Sequence, residues 1–304
     1  MSKRVPSPAN GILIVNKHGG VTSHDIVSAV RRLFDTPKVG HTGTLDPMAT
    51  GVLPILLGRA VKAADLLLSE NKEYEAELAL GVTTDTEDVT GKILSESNEI
   101  PDKERVLEVC RSFRGKIMQT PPMYSALKSG GRKLCDIARE GGEVERAPRE
   151  IEIYSIEPKA VSDRVYRIRV SCSKGTYIRT LCADIGHALG CGAAMSALCR
   201  TRTGSFTIED SVTVEDLEKM TFEERLALPR PTESLFKDLP EVELGDFFAK
   251  LAKNGAEIYQ KKIAVSFEDG ALIRLKHGGE FFALGKAVTF PGGPAIKPVK
   301  LFKL

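Results

Sequence analysis

The chain has 304 residues, of which 42% are hydrophobic and 28% charged, and its formal net charge is +2. This is the composition of a globular protein, and at ~150 residues per domain it holds about two domains. No apolar run approaches the ~20 residues of a membrane helix, and the polar, proline-containing first ten residues lack the apolar centre of a signal peptide, so a cytoplasmic protein is expected.

In chain order, Gly11 to Lys17 reads as a buried strand ending in the polar pair Asn16-Lys17. A helix follows, capped by Thr22 or Ser23, with Asp25 in its first turn and Ile26, Val27, Val30, Leu33 and Phe34 recurring on one face. Val39 ends a further strand. Gly40 to Gly51 has no apolar period but three glycines, a proline and three threonines, so it is expected to be a loop with special backbone angles. It carries Asp46. The apolar run Val52 to Gly58 is then a buried strand, and Arg59 to Ser69 a helix packed through Val61, Ala64, Leu67 and Leu68. Lys72 to Leu80 alternates, with Tyr74, Ala76, Leu78 and Leu80 on one face and three glutamates on the other, the pattern of a half-buried strand.

Pro101 to Phe113 has helical spacing, and Lys133 to Glu140 a shorter version of it. Between them Arg114 to Gly131 reads as a positioned loop. Strands are expected at Arg149 to Glu157 and Arg164 to Cys172, and a helix from Tyr177 to Leu189, stopped by Gly190. Arg179 falls in that helix's first turn, where the dipole disfavours a cation, so a carboxylate partner is expected, with Asp46 the natural candidate. Met195 to Arg202 is a strand containing Leu198, and acidic helical segments lie between Thr213 and Leu228. Prolines 229, 231 and 240 place a domain boundary between about 230 and 242. Beyond it, Ala271 to Leu275, Glu280 to Leu284 and Ala287 to Phe290, punctuated by glycine pairs, predict a small β-rich domain. The fold class expected is α+β, with a mixed, mostly antiparallel sheet in residues 1–235 and the β-rich domain in 242–304.

Charge is unevenly spread. Seven basic residues and one acidic residue lie between Arg164 and Arg202, four basic and twelve acidic between Thr207 and Asp246, and ten basic and four acidic from Phe247 onward. Such segregation can present a positive face to a polyanion. The six cysteines form no Cys-x-x-Cys pair and the histidines do not cluster with them, so no metal site is expected, and the cysteines read as small core residues.

An aspartate on a rigid loop at the lip of a core suits a nucleophile or a base. On spacing alone, the simpler reading, an Asx cap on a turn, is favoured. A resemblance reverses that preference. Gly40-His41-Thr42-Gly43-Thr44-Leu45-Asp46-Pro47-Met48-Ala49-Thr50-Gly51 resembles the signature loop of the TruB family of tRNA pseudouridine synthases. Asn16-Lys17, Thr22-Ser23, Lys72-Glu73-Tyr74, Gly81, Thr84-Asp85-Thr86, Gln119 to Ala126 and Cys172 to Arg179 follow the family in the same order, so the resemblance covers residues 11 to about 206. It departs at Cys135, where family members often carry an aromatic side chain.

The resemblance implies an isomerase that converts the T-loop uridine at tRNA position 55 to pseudouridine, without cofactor, metal or obligate protein partner. It makes Asp46 the essential carboxylate, acting covalently on the sugar or as the base that takes a ribose proton. Arg179 would hold Asp46 ionised and oriented. Tyr74 would stack on the base with Leu198 beside it. Lys17 and Tyr177 would be supporting residues, and His41 and Lys174 would face RNA. The chain's end resembles a PUA RNA-binding module. Two other classes compete: an RNA-binding folding factor with incidental catalysis, and a glycosidase. The second needs two carboxylates flanking the bond, and the resemblance assigns the chemistry to one.

Overall fold

The computed structural model describes residues 7–67 and 71–303. Its centre is a nine-stranded sheet. The N-terminal strands are β1 (Gly11–Lys17), β2 (Val39–His41), β3 (Thr50–Leu57) and β4 (Lys72–Leu80). A short hairpin of β5 (Val82–Thr84) and β6 (Ile93–Glu96) branches off. The sheet continues with β7 (Gly115–Gln119), and, after a separate hairpin of β8 (Lys128–Ser129) and β9 (Arg132–Lys133), with β10 (Arg149–Ala160), β11 (Val165–Cys172), β12 (Ala193–Thr203) and β13 (Phe206–Thr207). Its order is β1-β3-β12-β4-β11-β10-β7, with β2 on β3 and β13 on β12. Every pairing is antiparallel except β3 with β12.

Helices α1 (Ser23–Leu33), α3 (Lys103–Ser112) and α5 (Ile178–Leu189) share one core with the sheet face that carries Leu13, Leu53, Tyr74, Leu78, Ile168 and Leu198. Strands β1 and β3 are buried on both faces, because Ile12, Ile14, Val52 and Leu56 build a second cluster with Phe206. Their apolar runs are therefore continuous rather than alternating. β4 alternates because its other face is charged. There Glu73, Glu75 and Glu77 pair with Arg202, Arg169 and Arg167, the last two at 2.7 and 2.6 Å.

That ladder corrects the charge reading. Much of the basic stretch from Arg164 to Arg202 is spent on sheet glutamates, on Asp46 and, for Arg164, on Ser97 and Asn98, rather than forming a free positive face. The stretch expected to be a loop, Arg114 to Gly131, contributes edge strand β7, paired with β10. The single helical turn α2 (Ala64–Leu67) follows a 3-10 turn at Gly58–Ala63, and the rest of the expected helix, Leu68 and Ser69, lies outside the described residues. Helix α4 (Leu134–Arg139) sits where expected, as do the acidic helices α6 (Val214–Lys219) and α7 (Phe222–Ala227).

After a 3-10 turn at Thr232–Phe236, the C-terminal residues form a second sheet. It contains β14 (Glu241–Glu243), β15 (Ile258–Tyr259), β16 (Leu272–His277), β17 (Glu280–Phe290) and β18 (Gly293–Leu301), in the order β14-β16-β17-β18-β15, with helix α8 (Asp246–Lys253) alongside. The two apolar runs read as separate strands are one, β17, because Gly285 continues it. A Cβ there would lie 2.4 Å from Ile296. Helix α8 and strand β18 were not foreseen. The sheet docks on the preceding residues through the rings of Phe236, Phe281 and Phe302 and through Lys300–Asp65 at 2.6 Å. Glu233, before the prolines' end, is also within reach of Arg274 and Lys276 of β16, at 2.9 and 3.2 Å.

Candidate active site

The loop bearing Asp46 runs between β2 and β3, shorter than read from sequence because His41 and Thr50 already belong to strands. It is pinned along its length. Ser23, the first residue of α1, accepts from Leu45 N at 2.9 Å and donates to Leu45 O at 3.1 Å. Lys17 Nζ, at the end of β1, donates to Pro47 O at 3.1 Å and His18 O at 2.9 Å. Gly20 N also reaches Pro47 O, at 2.9 Å. Arg200 of β12 donates from Nη2 to Gly43 O at 2.8 Å and from Nε to Val52 O at 2.7 Å. Glycine is required where Arg200 passes: Gly51 has φ +100°, and a Cβ on it would lie 2.2 Å from Arg200 O.

Asp46 thus stands on an immobilised turn, its side chain 35% exposed, while the Arg179 side chain beside it is only 6% exposed. Arg179 Nε lies 2.8 Å from Asp46 Oδ2, and Nη2 donates to Oδ1 at 3.4 Å. The pairing anticipated from the helix dipole is present. The remaining donors of the fork go to Thr86 O at 2.8 Å and Tyr124 O at 2.7 Å, and Asp88 Oδ2 lies 3.8 Å away. Asp88 is itself held by Thr86 Oγ1 and Thr90 N, both at 2.9 Å.

The start of α5, which aims Arg179, is fixed by an amide: Gln119 accepts from Tyr177 N at 2.8 Å and donates to Tyr177 O at 3.0 Å. Edge strand β7 thereby takes part in placing the arginine. Tyr177 is half-buried at the helix cap, and burial pushes its phenol up from the ordinary value.

Tyr74 on β4 and Leu198 on β12 are buried on the same sheet face, and Arg200 pairs across the strands with Tyr74. Burial raises the Tyr74 phenol's pKa, against the opposing pull of the Arg200 guanidinium. Lys17 is fully buried, and that burial lowers its pKa to about 8, partly offset by attraction to Asp46. His41, on β2, is half-buried with Nδ1 lacking a hydrogen-bond partner, and burial pulls its pKa below the usual histidine value, with Arg200 adding to the effect. Lys174 is exposed on the turn between β11 and α5 and makes none of these contacts.

The structure therefore gathers Asp46, Arg179, Tyr74, Leu198 and Lys17 at one end of the sheet around the pinned loop. Sequence reasoning counted Arg200 only as a surface charge. The signal for it was present, since Leu198 and Arg200 are two apart on one strand and so share its buried face. Among the described residues no cluster of three or more histidine, cysteine, aspartate or glutamate side chains is placed to hold a metal.

The sequence and the fold both match known proteins. Residues 31–178 match the model of the TruB family pseudouridylate synthase N-terminal domain, and residues 179–237 that of the tRNA pseudouridylate synthase B C-terminal domain. The tRNA pseudouridine synthase B of Clostridium tetani is 43% identical over 278 residues, 91% of this chain and 95% of that protein. The protein of the same name from Geotalea uraniireducens is 44% identical over 304 residues, 97% of each. Among solved structures, a Cbf5-Nop10-Gar1 complex superposes with a TM-score of 0.72 at 30% identity, over 97% of this chain and 85% of that one. An H/ACA RNP bound to a substrate RNA containing 2'-deoxyuridine gives 0.72 at 28%, with the same coverage. These matches and the fold define a pseudouridine synthase. Within that class, the chain belongs to the TruB family.

Proposed function

We propose that the chain isomerises the T-loop uridine of tRNA, position 55, to pseudouridine, with Asp46 as the essential carboxylate. The observation that carries this reading is the Asp46–Arg179 pair, at 2.8 Å on a loop fixed by Lys17, Ser23 and Arg200. The names of the relatives supply the tRNA substrate. The isomerisation needs the base out of its stack, because the glycosidic bond is sheltered inside the folded arm. Asp46 is exposed enough to meet a sugar and is anchored so that it does not swing away.

Two routes suit this geometry. Asp46 Oδ either bonds to C1′ as N1 departs with its electron pair, or takes the 2′ proton while C1′=C2′ forms and N1 departs. In both, uracil turns, C5 bonds to C1′, the group on the sugar carbon is released or the proton returned, and C5 finally loses its proton. Nothing is oxidised or reduced, so no cofactor is required. Tyr74 lies against the base and Leu198 beside it, in an apolar pocket that keeps water from the sugar. Arg179 orients the carboxylate through its paired contacts. Lys17 and Tyr177 support the loop and the helix cap. His41 and Lys174 face RNA, His41 filling the place of the flipped nucleotide. Residues 1–235 carry the chemistry, and residues 242–304, a PUA-like module with ten basic residues among 247–304, grip the tRNA elsewhere.

The test is to incubate the purified protein with an unmodified tRNA transcript and map pseudouridine by position. Modification confined to position 55 supports the reading; modification only elsewhere, or none, overturns it.

A further inference from the structure

The mechanism proposed above gives the buried charge of Arg200 no part in the chemistry. Arg200 is 1% exposed, and its guanidinium bonds to two carbonyl oxygens, Gly43 O and Val52 O, and to the Tyr74 phenol. Among the described residues no carboxylate forms an ion pair with it. A charge taken out of water without a counter-charge is costly, and proteins usually pair it. Arg179, by contrast, is matched by Asp46 with Asp88 close by, and the positive charge of Lys17 is offset by Asp46 and Asp25.

The location of Arg200 suggests what the missing partner is. Its backbone pairs with Tyr74 on one side and Gly51 on the other. Cross-strand neighbours project to the same sheet face, so the guanidinium lies against the phenol of the residue that faces the base. The burial of Leu198 and Tyr74 makes this pocket one of low dielectric, where fixed charges act strongly.

Whichever route Asp46 takes, the C1′–N1 electron pair leaves with N1. The detached uracil is then an anion, its charge shared between N1 and the carbonyl oxygens, until C5 uses that pair to bond to C1′. We propose that Arg200 is a positioning residue that orients the Tyr74 phenol and supplies the uncompensated positive charge that stabilises uracil as it leaves the ribose. The anion is transient, which is why no protein carboxylate occupies its place. The charge costs folding energy in the resting enzyme and acts when the bond breaks, as a preorganised site does. The contacts to Gly43 O and Val52 O hold the guanidinium in position. This inference rests on the isomerase reading of Asp46.

The test separates charge from mere clamping by changing the leaving group. A T-arm RNA with uridine or 5-fluorouridine at the reacting position is followed in single turnover at saturating enzyme by loss of the C1′–N1 bond, because C5 of the fluorinated base has no proton to release. Fluorine withdraws electrons and makes the base a better leaving group. Arg200→Gln should slow the uridine substrate by roughly a hundredfold, the scale of losing one charge-stabilising donor, with RNA affinity within about threefold. On 5-fluorouridine the deficit should shrink to under roughly tenfold, and Arg200→Lys, which keeps the charge, should restore the uridine rate to within about tenfold of the original. An equal deficit on both bases, or Arg200→Lys as slow as Arg200→Gln, would reduce Arg200 to a clamp. Should Arg200→Gln not fold by circular dichroism, Arg200→Lys decides: a folded variant slowed about a hundredfold or more overturns the proposal, and one within about tenfold supports it. Failure of the underlying reading is distinct, because the unaltered enzyme would then form no pseudouridine from the uridine substrate.

Discussion

Replacing Arg179 by methionine keeps most of the side-chain volume and removes the fork that orients Asp46. Two carbonyl oxygens, Thr86 O and Tyr124 O, lose donors at 2.8 and 2.7 Å, each costing about 1–3 kcal/mol if it stays dry. Breaking a buried ion pair costs about 3–5 kcal/mol, but Asp46 is 35% exposed and can recruit water, so that figure is an upper bound to be discounted. The net loss of stability is then about 2–4 kcal/mol, read as a lower midpoint of thermal or urea unfolding. The effect on rate is larger. A carboxylate free to turn by about 1 Å loses roughly a hundredfold, and the missing charge adds to this, so single-turnover pseudouridine formation should fall by about 10²–10³. Affinity for tRNA, measured by filter binding, should change by less than about threefold, because phosphate contacts elsewhere dominate it. Arg179→Lys should lie between, since one nitrogen cannot replace four bonds. A folded, tRNA-binding Arg179→Met that retains more than about a tenth of the original rate would refute the claim that this pair orients the chemistry.

The buried Lys17, with its pKa near 8 against 10.5 when free, sets a pH test. Between those values the unfolded chain holds a proton that the folded one has lost, so this group makes stability rise with pH. The stability of Lys17→Met relative to the original should therefore be greatest below pH 8 and decline toward pH 10.5, whereas the single-turnover rate of the original should fall several-fold above pH 8 and that of Lys17→Met should not; parallel profiles would contradict this. Gly51→Ala should destabilise by about 2–4 kcal/mol in urea unfolding, since its φ is +100° and its new Cβ meets Arg200 O; an unchanged midpoint would mean the strands part easily. Deleting residues 240–304 should raise KM and flatten the salt dependence of tRNA binding while kcat stays near its original value. It also exposes Phe236 and so lowers the unfolding midpoint, at about 1.5–3 kcal/mol for the lost burial; loss of kcat with KM and salt slope unchanged would show that the tail shapes the site. Activity on pre-folded tRNA should survive chelators, because the reaction needs no Lewis acid; loss in chelator that a divalent ion restores would contradict it.

Local patterns made much of the fold legible. Thr22 and Asp25 form a capping box at the start of α1, and Gly190, with φ +78°, ends α5. The alternation of β4 showed its two faces, and the mismatch between a cation and a helix N-terminus called for a carboxylate beside Arg179, for which Asp46 was the natural candidate. Nonlocal partners hid the rest. Strand β7 turns only Ile117 and the polar Gln119 inward, too weak a period to see without its partner β10. Three arginines that looked like an RNA-facing surface pair with glutamates lying 90 to 129 residues away in sequence. Arg200 was missed because a long basic side chain is normally a surface residue, and nothing near it in sequence reveals the carbonyls that hold it inside. Of Asp46, the loop was readable from its neighbours and the carboxylate's role only from the family resemblance, whereas the four-point attachment of that loop comes from β1, α1, β12 and α5.

The central claim is that one ionised oxygen on Asp46 does the chemistry. The most direct measurement compares the original protein with Asp46→Asn on the same unmodified tRNA transcript, mapping pseudouridine at position 55 and measuring tRNA affinity in parallel. Asparagine preserves shape and, with Arg179 still in place, most of the loop's contacts. The expected result is no detectable pseudouridine from Asp46→Asn, tRNA bound within a few-fold of the original, and full conversion at position 55 by the unaltered protein. Turnover by Asp46→Asn at as much as a tenth of the original rate would remove Asp46 from the centre of the mechanism.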